Sequence, residues 1–256
     1  MNILRKYLLI FLLPLIAKNS TLQAQSISSS FNNWATYFLN YKFTSQWGIH
    51  FDAQFRGDEE FRNIKQHLVR GGIQFSVKNN IHFTLGYAHV NTYSASFQRN
   101  LSEYRPWQQF IWQHNFTRSQ NTLRIRLEQR WSENYTIINS EISKSAMKYG
   151  NRIRLFNRFV YDLLKKETST YYLAMQNEIF LNFPNNQFNK NLLDQNRFLL
   201  ALGIFKNGNT RFEIGYMNQF ITPSNVNYSD NHILHLSVLQ NFATTTTQQL
   251  SKTVEK

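Results

Sequence analysis

The residues with the most chemical capacity in this chain alternate with apolar ones. From Arg124 to Arg130 the sequence reads RIRLEQR, so Arg124, Arg126, Glu128 and Arg130 fall two residues apart. The same even spacing relates Glu103 to Arg105, Arg152 to Arg154 and Arg158, and Arg211 to Glu213. Arg56, Glu178 and Arg197 lie on comparable runs. A period of two puts such residues on one face of a β-strand. The guanidinium group is a planar fork of N–H donors that grips carboxylates and phosphates in bidentate fashion. Arginine outnumbers acid on these faces. The chemistry they offer is therefore an internal ion-pair network or the recognition of an anionic solute.

Other chemistries are poorly served. Glu103, Glu128 and Glu213 each have arginine two residues away, which suits an ion pair better than a general acid. The seven histidines form no HExxH motif, and the absence of cysteine removes thiolate metal sites and disulfides. His232 and His235 are three apart, hence on opposite faces of a strand. Membrane-embedded lipid hydrolysis would have to use Ser229 with Asp230 and His232, or Ser237 with His235, without a GxSxG elbow. No GxGxxG or phosphate-binding loop is present, and no cofactor or metal is expected. The chain is basic, with 28 Lys and Arg against 15 Asp and Glu, but its arginines are dispersed over many segments. That argues against nucleic acid and for membrane lipid, lipopolysaccharide or a small anion as the partner.

The elements that must position these residues are strands. The chain has 256 residues, of which aromatics make up 16% and charged residues 17%, below the roughly 25% charged fraction of globular proteins. Alternation over Trp47–Arg56 (WGIHFDAQFR), Thr122–Trp131 and Arg211–Phe220 separates apolar from polar side chains. Strands are expected at about 34–43, 46–57, 64–77, 81–91, 103–116, 121–132, 149–163, 170–183, 195–206, 210–221 and 231–242. Short connections, among them the Asn207-Gly208 hairpin signal, alternate with longer ones at 57–63, 92–102, 132–148, 184–194 and 222–230. Within 132–148, Glu141–Tyr149 is expected to form a short loop helix.

That alternation of short turns and long loops, with strands near ten residues, predicts an antiparallel up-and-down transmembrane β-barrel. An even strand number with both ends on one side implies twelve strands, or ten, the twelfth being placed in 25–31. Tyr37, Tyr41, Trp47, Tyr87, Trp112, Trp131, Tyr161 and Tyr216 would form aromatic girdles facing lipid. Residues 1–25 read as a secretory signal: Arg5 and Lys6, the apolar run Tyr7–Ala17, then a polar segment with cleavage near Ala24 or Gln25. The domain plan is thus a signal peptide at 1–25, a barrel at 26–243 and a flexible tail at 244–256. The expected location is the outer membrane.

Several quoted segments occur in an order that resembles an uncharacterised family of bacterial outer-membrane barrels, the domain-of-unknown-function family 2490. They are Trp34 with Tyr41, Trp47–Arg56, Leu85-Gly86-Tyr87, Glu103–Gln109 (EYRPWQQ), Arg124–Arg130, Arg152-Ile153-Arg154, Asn177-Glu178, Asp194–Arg197 and Glu213–Tyr216. The resemblance implies an outer-membrane barrel and carries no known activity or catalytic residue. From the residues, the leading functional expectation is a porin-like, narrow arginine-lined pore or anion-binding barrel rather than an enzyme. The alternatives are a plugged structural or surface-binding barrel and a lipid hydrolase.

Overall fold

The structure is a computed structural model that describes residues 27–59, 61–223 and 228–244. Eleven strands make up the described chain: β1 (Ile27–Lys42), β2 (Trp47–Asp58), β3 (Ile64–Lys78), β4 (Ile81–Ser94), β5 (Arg99–Asn115), β6 (Ser119–Ile138), β7 (Glu141–Lys165), β8 (Ser169–Asn182), β9 (Leu193–Lys206), β10 (Thr210–Ile221) and β11 (Tyr228–Ala243). Each pairs antiparallel with its sequence neighbour, and β1 pairs with β11 to close the barrel. The expected signal segment 1–25 and tail residues 245–256 lie outside the described residues.

The count is close to the expected twelve. Residues 27–31, where an extra strand was expected, are instead the first part of β1 and pair with residues 228–232. An odd number of up-and-down strands closes only through one parallel pair. β1 and β11 form it over a continuous register from Ile27 opposite Tyr228 to Lys42 opposite Ala243. The start of β1 and the end of β11 therefore sit at opposite ends of the barrel.

One end carries the short connections 43–46, 79–80, 116–118, 166–168 and 207–209. Asn207 and Gly208 both have positive φ, 52° and 68°, as the Asn-Gly signal implies. The other end is built differently from the expected loops. Glu141–Tyr149 is strand, not helix, and belongs to a long β6–β7 hairpin turning at Asn139 and Ser140 (φ 51° and 66°). Cross-strand pairing of Thr136 with Ser143 and Ile137 with Ile142 holds it together. Only the β8–β9 connection, 183–192, is a long irregular segment among the described residues.

The surface is inverted relative to a water-soluble protein. Leu85 is 64% exposed, while Glu128 is 2% exposed. Val69, Ile73, Phe83, Ile125, Leu202 and Ile214 also point outward. This is the patterning of a barrel whose outside meets hydrocarbon and whose charges face inward. Tyr87, Tyr161 and Tyr216 of the expected girdles are among the exposed side chains, and Trp47 packs against Phe75 with ring centroids 4.8 Å apart.

The interior is filled by side chains on two walls. Trp34, Tyr172, Ala174, Leu199, Ala201, Met217 and Ile233 form an apolar cluster along β1 and β8–β11. Opposite, the Trp107 indole lies against the glycine pair Gly72 and Gly86 of β3 and β4. A Cβ on Gly86 would stand 2.3 Å from the Trp107 ring, so only glycine admits that ring to the wall.

Candidate functional site

The polar face of β5–β9 assembles a lattice of ion pairs. Glu128 and Arg152 are directly opposed in the β6–β7 register. Arg152 Nη2 donates to Glu128 Oε2 at 2.7 Å, and Arg154 Nη1 donates to Glu128 Oε1 at 2.7 Å. Arg126 and Arg154 also face each other in register, a like-charge pair that costs energy unless acids intervene. Glu178 takes up Arg154 through Nε at 2.9 Å and also accepts from Arg124 Nη2 at 2.6 Å. Arg152 Nη1 reaches Asp194 Oδ2 at 2.8 Å. Glu128 and Asp194 thus each tie two strands and Glu178 ties three, as the fork geometry of guanidinium allows.

Three smaller clusters flank this lattice. Glu103 receives Arg105 in bidentate fashion, Nε to Oε1 at 2.6 Å and Nη2 to Oε2 at 2.9 Å. It also accepts from Arg130 Nε at 2.6 Å. Across the barrel, Glu213 accepts from Arg158, from the Tyr172 hydroxyl at 2.6 Å and from Ser237 Oγ at 3.2 Å. Asp52 lies 3.2 Å from Arg70 Nε and 3.2 Å from His50 Nε2.

Several arginines have no carboxylate within ion-pair distance among the described residues. Arg126, 1% exposed, gives Nε and Nη2 to Gln109 Oε1 at 3.0 and 2.6 Å. Arg197 stands opposite Glu178 in register yet donates to Gln195 Oε1 at 3.2 Å. Arg56 donates to Gln54 Oε1 at 2.6 Å and to Gln66. These cations lie over aromatic faces instead: Arg56 over Trp34 (4.1 Å), Arg126 over Trp107 (4.6 Å), and Arg197 over Trp34 and Phe180 (4.9 and 4.6 Å). Arg211 sits over Phe205 at 4.7 Å.

The lumen holds two chambers. The loop-side chamber, about 680 Å³, is lined by Arg56, Arg70, Arg105, Arg130, Arg152, Arg154 and Arg197, with Asp194 as its one lining carboxylate among the described residues. The turn-side chamber, about 240 Å³, is lined by Arg124, Arg126, Arg158 and Arg211 together with Arg70, Arg154 and Arg197, and by Asp52, Glu178 and Glu213. Arg70, Arg154 and Arg197 line both and so mark the partition between them. Glu103 and Glu128 stand behind the arginines that line the loop side.

The 183–192 segment straps across the mouth of the larger chamber. Phe188 lies under Arg130 at 4.0 Å, Asn189 Nδ2 donates to Asp194 Oδ1 at 3.1 Å, and Asn191 Nδ2 donates to the Pro223 carbonyl at 2.7 Å.

All the site residues expected from sequence thus converge on one lumen. Sequence reasoning missed three kinds of contributor. Asp194 was assigned to a loop. Trp107 and Phe180 are inward, each two residues from an inward charge (Arg105 and Glu178), so the spacing did carry their position. The strap residues Phe188 and Asn189 carry no periodic signal. The serine candidates bond groups other than histidine: Ser229 Oγ donates to Asn231 at 3.2 Å, and Ser237 donates to Glu213. His232 bonds Tyr216, and His235 Nε2 meets Thr36 Oγ1 at 3.2 Å.

Comparison with known families decides the relationship, because residues 31–230 match a family of proteins of unknown function, DUF2490. The chain belongs to that family. Among solved structures, the NanC porin in its rhombohedral crystal form is similar at 11% identity with a TM-score of 0.44, over 77% of this chain and 90% of that one. Comparison with curated proteins gives no match. The DUF2490 chain is thus placed by family, and the chemistry of its lumen has to be read from its own residues.

Proposed function

We propose that this protein is an outer-membrane barrel that takes small anionic solutes into an arginine-lined lumen and passes them through a guarded constriction. One observation carries the reading. The two chambers are lined by eleven arginines, while six carboxylates stand in or behind their walls. A cation buried beside low-dielectric walls is costly until an anion neutralises it. The surplus guanidiniums, Arg56 and Arg197 in the larger chamber, supply that attraction. A chamber of about 680 Å³ suits an organic solute, since small-molecule sites run from roughly 300 to 1,000 Å³. Delivery through the cleaved segment 1–25 and contact of the aromatic outer face with membrane lipid, lipopolysaccharide included, complete the reading.

A plugged structural barrel is the second reading, favoured by the complete burial of Trp107 and Phe180. Blockade separates the two. Citrate added on the loop side of the refolded protein in a planar bilayer should interrupt its current. Replacing Arg56 and Arg197 together by Gln should weaken that block about tenfold or more. Equal block of both proteins would refute the role of these arginines, and a correctly folded but silent barrel would establish the plugged reading.

A further inference from the structure

We propose that the turn-side chamber is a second, smaller anion site, centred on Arg126 and selective for phosphate-sized inorganic anions. The inference rests on the reading that the lumen admits anions, and adds a station with its own size limit. Arg126 is almost completely buried, and its nearest acceptor is a neutral amide, Gln109 Oε1, which takes Nε and Nη2. Its Nη1 meets no acceptor among the described residues. Arg154 stands opposite it across the β6–β7 register, but that guanidinium is committed to Glu128 and Glu178. Behind Arg126 lies the Trp107 face, which contributes ring attraction but no counter-charge. The charge of Arg126 is thus the one on this wall that the protein neutralises least.

Size sets the class of anion. At about 240 Å³ the chamber falls below the usual range for organic ligands. Arg70, Arg154 and Arg197 border both chambers, so an anion moving from the larger chamber to Arg126 must pass these three side chains. Arg124, beside the cavity and paired with Glu178, would provide a second donor group to an oxyanion.

Titration calorimetry of the refolded full-length barrel in detergent, with inorganic phosphate in chloride-free buffer of low ionic strength, tests the proposal. Two binding steps are expected. Gln109→Glu is the decisive variant: it keeps the shape of Gln109 and its acceptor for Arg126, and adds the missing fixed charge. It should weaken one phosphate step about tenfold or more while leaving the other unchanged. Arg126→Gln should lose the same step, and Arg56→Gln should lose only the other. If Arg126→Gln fails to fold, Gln109→Glu still decides the matter. One step sensitive to Arg56 alone would overturn the second site while leaving the proposed function standing. No phosphate step in folded wild type would overturn both.

Discussion

Glu128 is the residue on which the interior lattice turns. It is fully enclosed, accepts from Arg152 and Arg154, and has no other charge to share them with except Glu178 and Asp194 at their far ends. Removing one partner of a buried ion pair strands the other, at a cost of about 3–5 kcal/mol. Glu128→Leu should lower the unfolding free energy by an amount of that order, read as a lower urea midpoint in lipid vesicles, and an unchanged midpoint would show that the lattice is not enclosed. The positions of this lattice were legible in the sequence, because a period of two in RIRLEQR leaves one consistent face for its charges. Trp107 was harder to place. Its spacing from Arg105 turns it inward, but the recess that Gly72 and Gly86 open for it on the inner wall is revealed only by the tertiary pairing of β3 with β4. Asp194 was hidden for a similar reason: its strand begins where the Asn189 and Asn191 contacts of the strap end, and no periodicity marks that boundary.

At the scale of elements, the β6–β7 hairpin and the β1–β11 seam depart most from what the sequence suggests. Residues 133–147 project beyond neighbouring strand pairs, so both faces look alike and the alternation that betrays a half-buried strand is missing. A Ser- and Lys-rich run then reads as loop or helix, although Ile137, Ile138 and Ile142 favour strand and Asn139-Ser140 supplies the two positive φ angles. The seam escaped for a different reason. An even count was assumed, and parallel closure follows only from long-range pairing that local patterning does not encode. Ser30 faces Asn231 in that seam, with Ser30 Oγ donating to Asn231 Oδ1 at 2.7 Å. The chain lacks cysteine, so a Ser30→Cys, Asn231→Cys double variant would contain only those two thiols. Oxidation should join them within the folded barrel and be visible as altered gel mobility that thiol reductant reverses. A folded double variant that refuses to cross-link would contradict parallel closure.

For the whole molecule, the charge distribution is what the proposed function rests on. An apolar exterior encloses a lumen in which arginine exceeds carboxylate, divided by Arg70, Arg154 and Arg197 into a wide and a narrow chamber. Fields inside a low-dielectric wall are strongly focused, so this excess should repel cations and concentrate anions along the axis. Class of fold and sign of charge could both be read from the sequence, whereas the partition and the strap could not: the partition is made by side chains from strands far apart in the chain, and the strap is an irregular segment with no periodic signal. The most direct test is the reversal potential of the refolded protein in a planar bilayer across a KCl gradient. An arginine-lined path predicts discrete current steps reversing close to the chloride equilibrium potential. Reversal toward the potassium potential, or silence from a correctly folded barrel, would contradict it.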